Sequence, residues 1–163
     1  MPTRELETEE MATREQLIDR LNDVLAWELA GAIQYMHYAV LVSGVERFTF
    51  QDFFHEGSEE ARDHAEAVGN KIAALGGIPT MEPAAVQPAV SLAKMLENTL
   101  HLEEQALEAW EHALTIGDAV NVGTKLWIEE HVAEEQEHVD ELRKMTDAVA
   151  YASSPVRGKS DTA

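Results

Sequence analysis

The stretch "TKLWIEEHVAEEQEHVDELRKMTDAV", residues 124–149, decides the reading of this chain. Thr124, Ile128, His131, Glu135, His138, Leu142, Met145 and Val149 recur at alternating steps of four and three. At about 100° per residue such a row lies on one face of an α-helix, the face that packing normally buries. Three ionisable residues therefore stand in an apolar seam. Glu135 and His138, at i and i+3, are neighbours on that face, whereas Glu134 and Glu137 point away and read as solvated charges.

The same conflict between burial and charge occurs in the other helical segments. A stripe through Leu17, Leu21, Val24, Leu25, Ala32, Tyr35, Ala39 and Val42 has Glu28 near its centre. Another, through Leu92, Leu96, Leu100, Leu107, Trp110 and Leu114, is interrupted by Glu103. A third runs through Phe50, Phe54, Gly57, Ala61, Ala65, Val68, Ile72 and Leu75, with His64 within roughly 40° of its centre and Glu60 roughly 80° off. Glu60 still shares a face with His64 at i and i+4, so its long side chain can reach inward. A buried carboxylate costs several kcal/mol unless it is compensated, and several converging carboxylates repel one another. Two divalent cations held by four carboxylates and two neutral imidazoles remove both penalties. Oxygen with imidazole ligation suits iron or manganese.

Glycine and proline divide the chain into four long segments without any alternating β-branched run, which gives an all-α fold. The first helix is expected after Thr13, as N-cap, to about Val42, and the second from about Thr49 to Leu75, ending at "GGIP". A third spans about Pro88 to Ile116, and after "GDAVNVG" a fourth runs from about Val120 to Ala150. Two short links enclosing one long one give an antiparallel four-helix bundle with one long crossover between the second and third helices. Residues 1–12 are expected to form a flexible N-terminal arm, 13–152 the bundle, and 153–163 a disordered tail.

Composition narrows the chemistry. The 163 residues suit one domain, and the lack of cysteine excludes disulfides, zinc thiolates and iron–sulfur clusters. Thirty-one acidic against 12 basic residues leave a net charge of −19, which argues against nucleic acid and favours cations. A charged N-terminus and the lack of a long apolar run point to a cytoplasmic protein without a membrane partner.

With these residues placed, the chain resembles the bacterioferritin and ferritin-like superfamily over residues 14–150. "LNDVLAWELAGAIQY" is similar to a bacterioferritin first helix, with Glu28 and Tyr35 at the family's glutamate and tyrosine. "HAEAVGNKIAALGGIPT" resembles the end of the second helix, "MLENTLHLEE" carries Glu103, and "EEQEHVDEL" carries Glu135 and His138 at the fourth-helix Glu-x-x-His. The resemblance implies a ferritin-like bundle that binds two irons and oxidises Fe(II) with oxygen or peroxide, often storing the mineral in a cage. It implies Glu28, Glu103, Glu135 and His138 as ligands, and Tyr35 as a group that hydrogen-bonds a ligand or supplies an electron, with a plain core tyrosine as the alternative.

Three departures qualify it. The second-helix Glu-x-x-His of the family would need glutamate where this chain has Ala61, so Glu60 with His64 is the candidate pair. Arg62 stands where bacterioferritins place a haem-binding methionine, so no haem is expected. The short fifth helix is missing, which leaves a homo-oligomer of either dimeric or cage form as the expectation. His131 is a further candidate ligand or an entry relay for iron. The expected function is a di-iron ferroxidase for iron storage or detoxification. The alternatives are a di-metal peroxidase or catalase-like enzyme, and, because of Ala61, a metal-free helical stress or interaction module.

Overall fold

The computed structural model describes the backbone of residues 3–153 and the side chains of residues 7–147. Four helices follow one another: α1 Thr3–Leu41, α2 Arg47–Ala74, α3 Leu92–Val120 and α4 Val122–Ser153. The apolar stripes are buried as their spacing requires. Leu17, Leu21, Val24, Val68, Ile72, Trp110 and Ile128 form one cluster, while Tyr38, Phe54, Met95, Leu96 and Leu142 belong to a second. The ionisable seam residues lie between these two clusters.

The crossover is fixed residue by residue. Gly76, at φ +86°, turns the chain out of α2, and the Gly77 N–H closes on the Ile72 carbonyl at 2.9 Å. Residues 75–91 then climb α1: Thr80 N–H donates to the Asn22 side chain, Ala84 N–H to the Ala26 carbonyl, and Gln87 N–H to the Gln34 side chain. Tyr38 closes the path by donating to the Gln87 carbonyl, and Asn98 of α3 donates to the Tyr38 oxygen. From Asn22 to Tyr38 this covers a rise of roughly 24 Å. The chain therefore enters α3 at the end where α1 finishes, so α1 and α4 run one way and α2 and α3 the other. The chain is an all-α four-helix bundle.

Several expected boundaries shift. Helix α1 does not begin after Thr13 but at Thr3, because the Glu, Leu, Met and Ala residues before Thr13 are good helix formers and continue it. The Thr13 hydroxyl donates to the Glu9 carbonyl at 2.9 Å instead of capping. Helix α3 starts after Ser91, whose hydroxyl accepts from the Lys94 N–H at 3.3 Å, and not at Pro88. The "GDAVNVG" link shrinks to Asn121, whose side chain caps α4 through the Thr124 N–H. Gly117 stays helical because its lack of a Cβ lets α4 close in: a Cβ there would meet Ile128 Cδ1 at 2.6 Å. Helix α4 continues past Ala150 to Ser153, and the rest of the expected tail, residues 154–163, lies outside the described residues.

Gly57 has the same steric role beside the functional seam, since a Cβ there would lie 2.6–2.9 Å from ring atoms of the buried Tyr35. Gly57→Ala is expected to lose about 1–3 kcal/mol to this overlap, against roughly 1 kcal/mol that alanine returns in a helix. A lower melting temperature by calorimetry is the expected result. An unchanged or raised one would show that Tyr35 yields freely.

Candidate metal centre

Between the apolar clusters, each helix contributes one of four buried ionisable side chains. Glu28 comes from α1, His64 from α2, Glu103 from α3 and Glu135 from α4, all less than a tenth exposed. His138, one turn beyond Glu135, is partly buried. Among the described residues, no Cα of α2 comes within 8 Å of one in α4. That wider seam holds a cavity of about 260 Å³, lined among others by Tyr35, Glu60, Ala61, His64, Glu103 and Glu135.

Two donor groups converge there. Glu28, His64 and Glu135 bring ligand-type atoms within 4.8 Å of one another, and so do Glu103, Glu135 and His138. Glu135 belongs to both. His64 Nδ1 is 3.1 Å from Glu135 Oε1 and 3.6 Å from Glu28 Oε1, while His138 Nδ1 is 3.7 Å from Glu135 Oε2. The Trp110 indole N–H donates to Glu28 at 3.0 Å, and the Tyr35 hydroxyl donates to Glu103 at 2.5 Å. Both Glu135 oxygens are buried without a hydrogen-bond partner, although Glu135 is only 1% exposed. Ion pairs with His64 and His138 are the contacts left to this desolvated carboxylate, and a cation at each oxygen would satisfy it more fully.

Charge in the seam is arranged around Glu135. Burial and the Glu135 charge push Glu103 well above the carboxylate range, and burial raises Glu28 against the pull of His64. Burial opposes charge on His64, but Glu135 and Glu28 push its pKa up to about 11. Glu135 and Glu60 do the same for His138, also to about 11. Glu135 is itself held down to about 2, where His138, His64 and Glu103 outweigh burial. Protons on two imidazoles thus balance the carboxylates, the task that divalent ions perform in a loaded site.

The expected residues are largely brought together, with differences of detail. Glu60 faces His138 Nε2 at 3.3 Å, and that contact lowers its pKa, but it belongs to neither donor group. Ala61 packs toward Gly31 of α1, where a Cβ would come within 3.1 Å of the Ala61 Cβ. His131 stands outside both groups, stacked on Trp110. Glu134, expected to point away, instead approaches His64 Nε2 at 3.6 Å and His131 Nδ1 at 3.7 Å. Position 134 lies about 100° from the seam centre, but on the side facing α2. His37, His55, His101 and His112 are exposed, away from the centre. The sequence reading missed the Trp110 contact to Glu28. A tryptophan in the middle of an apolar stripe needs an acceptor for its N–H, and that was the available signal.

Residues 18–150 match the ferritin-like domain family. Among curated proteins, a bacterial ferritin from Pseudomonas aeruginosa is 31% identical over 94 residues, 58% of this chain and 61% of that one. A nutrient stress-induced DNA-binding protein from Nostoc sp. is 31% identical over 84 residues, 52% of this chain and 41% of its own length. The chain thus spans less than two thirds of these relatives. Among solved structures, a ferritin-like, diiron-carboxylate protein from Bacillus anthracis superposes with a TM-score of 0.79 at 30% identity, over 82% of this chain and 97% of that one. A bacterioferritin-related dodecameric thioferritin from Bacteroides fragilis gives 0.76 at 25% identity, over 88% and 92%. A helical bundle with carboxylates and histidines gathered in its interior, matched by this family over most of its length, belongs to the ferritin-like domain family.

Proposed function

We propose that the protein is a di-iron ferroxidase that oxidises Fe(II) with oxygen or peroxide, in iron storage or detoxification. The observation that carries this reading is the pair of donor groups joined through Glu135, with both of its oxygens buried and free of hydrogen bonds. Glu28, His64 and Glu135 would hold one ion, and Glu103, Glu135 and His138 the other. Irons held there would supply one electron each to a common oxidant, and the carboxylate-rich ligand set would favour the ferric state. Manganese fits the same donors.

The protein's own groups do the rest. Glu56, Glu60 and Glu141 line the cavity with Glu103, so its walls are acidic and draw cations inward. Tyr35 donates to Glu103, which fixes that carboxylate's orientation and favours its charged form. Glu60 orients His138 through Nε2. Neither role requires haem, and the charge of −19 supports cation handling over nucleic-acid binding. Among the described residues no helix is long and apolar enough to cross a membrane. The dodecameric Bacteroides neighbour supports a homo-oligomer.

Aerobic Fe(II) oxidation, followed in the near-ultraviolet beside peroxide consumption, tests this function. Fast oxidation that fails in Glu103→Ala is the expected result, whereas peroxide turnover without net iron oxidation would replace the ferroxidase with a peroxidase or catalase-like enzyme. Tyr35→Phe is expected to slow oxidation roughly tenfold with metal content unchanged, a loss typical of supporting partners. Its rate profile should also shift to higher pH, because the lost hydrogen bond had lowered the Glu103 pKa. An unchanged profile would make Tyr35 a packing residue only.

A further inference from the structure

One further donor cluster shares only His64 with the groups that would hold the two ions. His64 turns Nδ1 toward Glu28 and Glu135, and its Nε2 faces the opposite way, 3.6 Å from Glu134 Oε2. The same Glu134 oxygen is 3.7 Å from His131 Nδ1, and ligand-type atoms of the three residues lie within 4.8 Å of one another. His131 Nδ1 is buried and has no hydrogen-bond partner. Its ring is held in place, stacked on Trp110 with centroids 4.4 Å apart at 15° and edge-on to Trp127 at 4.9 Å. Packing therefore aims an unsatisfied nitrogen at a carboxylate that is itself within reach of solvent, its side chain 44% exposed.

We propose that His64 Nε2, His131 Nδ1 and Glu134 form a third cation site beside the inner centre, suited to a divalent metal of the zinc class. The donor set is two imidazoles and one carboxylate, which zinc takes with water in the fourth position. Tetrahedral ligands at zinc distances stand roughly 3.4 Å apart, so the two imidazole–carboxylate separations need to close by only a few tenths of an ångström and the two imidazoles, within 4.8 Å, by about 1.4 Å at most. The inner groups are richer in oxygen and suit iron or manganese better. Neutral imidazole has one lone pair, so His64 can serve either the inner ion or the outer one, but not both. Occupancy outside should weaken binding inside. This inference goes beyond the ferroxidase reading and shares only His64 with it.

Titration calorimetry with Zn²⁺ on the metal-free protein, beside Glu134→Gln and His131→Phe, tests the site. Phenylalanine keeps the ring stacked on Trp110, and Glu134 is exposed enough that its variant should fold whatever happens at position 131. The expected result is one class of Zn²⁺ binding in the natural protein that weakens at least tenfold in both variants, while the remaining classes bind equally or more tightly. Identical isotherms for all three proteins would overturn the proposal, and so would uniform weakening of every class in Glu134→Gln. If the inner centre bound no metal, this class would remain alone in the natural protein and still be lost in the variants, so the two readings fail separately.

Discussion

Glu135→Gln is expected to remove both inner metal positions at once and to cut Fe(II) oxidation by roughly a hundredfold or more, beyond the range seen for supporting partners of metal ligands. Glutamine keeps the volume but offers one acceptor oxygen and no charge, while Glu135 uses both oxygens, one facing His64 and the other His138. Glu28→Gln and Glu103→Gln should each weaken mainly one position, because each belongs to one donor group. Metal content after loading, read beside the oxidation rate, separates these outcomes. A Glu135→Gln protein that still held two ions would show that the groups do not share a bridging carboxylate.

The second large effect is the linkage between metal, protons and stability. His64 and His138 are raised from 6.5 to about 11, so the stability they contribute is complete below about pH 6.5 and is lost as pH rises through 11. Glu28 and Glu103 are raised from 4.5 and act in the same direction. Glu135, depressed to about 2, contributes stability that is present above 4.5 and lost as pH falls through 2. His131, lowered to about 4 mainly by burial, contributes stability present above 6.5 and lost on acidification through 4. The metal-free protein should therefore lose melting temperature as pH rises above about 6.5, and again as it falls below about 4.5, where Glu135 and His131 lose stability and Glu28 and Glu103 gain no more.

Binding two ions must displace the protons on His64 and His138, on the order of two per chain at pH 7. At a free metal concentration near 1,000 Kd each ion adds about 4 kcal/mol, or roughly 10 °C in melting temperature for a chain of this size. That gain should shrink as pH falls, because protons compete for the same atoms. Calorimetry in buffers of different ionisation enthalpy counts the protons. Metal binding without proton release, or a gain that grows on acidification, would contradict the charge arrangement.

These effects trace to residues legible in the sequence to different degrees. Glu28, Glu103 and Glu135 stood out because a helical period places them among leucines, and burial follows from that period alone. The crossover was legible as a proline-bearing gap, but its attachment to Asn22, Ala26, Gln34 and Tyr38 was not, since those hydrogen bonds join residues 49 to 58 positions apart. Glu134 was misread because a helical wheel assumes a face is either core or solvent. At the wide α2–α4 seam, a side chain at the edge still reaches a histidine on the neighbouring helix. Gly117 and the "GDAV" run were read as a break because glycine favours turns, whereas tight packing against Ile128 needed glycine inside the helix. Glu60 lies between these cases: spacing paired it with His64 on its own helix, and it does reach inward, but to His138 and outside both donor groups.

Equilibrium dialysis of the chelator-stripped protein against Mn²⁺, with Glu135→Gln in parallel, tests the central claim most directly, since manganese suits the oxygen-rich inner groups and does not undergo the oxidation itself. About two ions per natural chain are expected, as a bundle with paired carboxylate and histidine ligands holds, with near-complete loss in the variant. Fewer than about 0.2 ions per chain in the natural protein, after saturation of such a site would have been reached, would contradict the claim and leave a helical bundle without a metal centre.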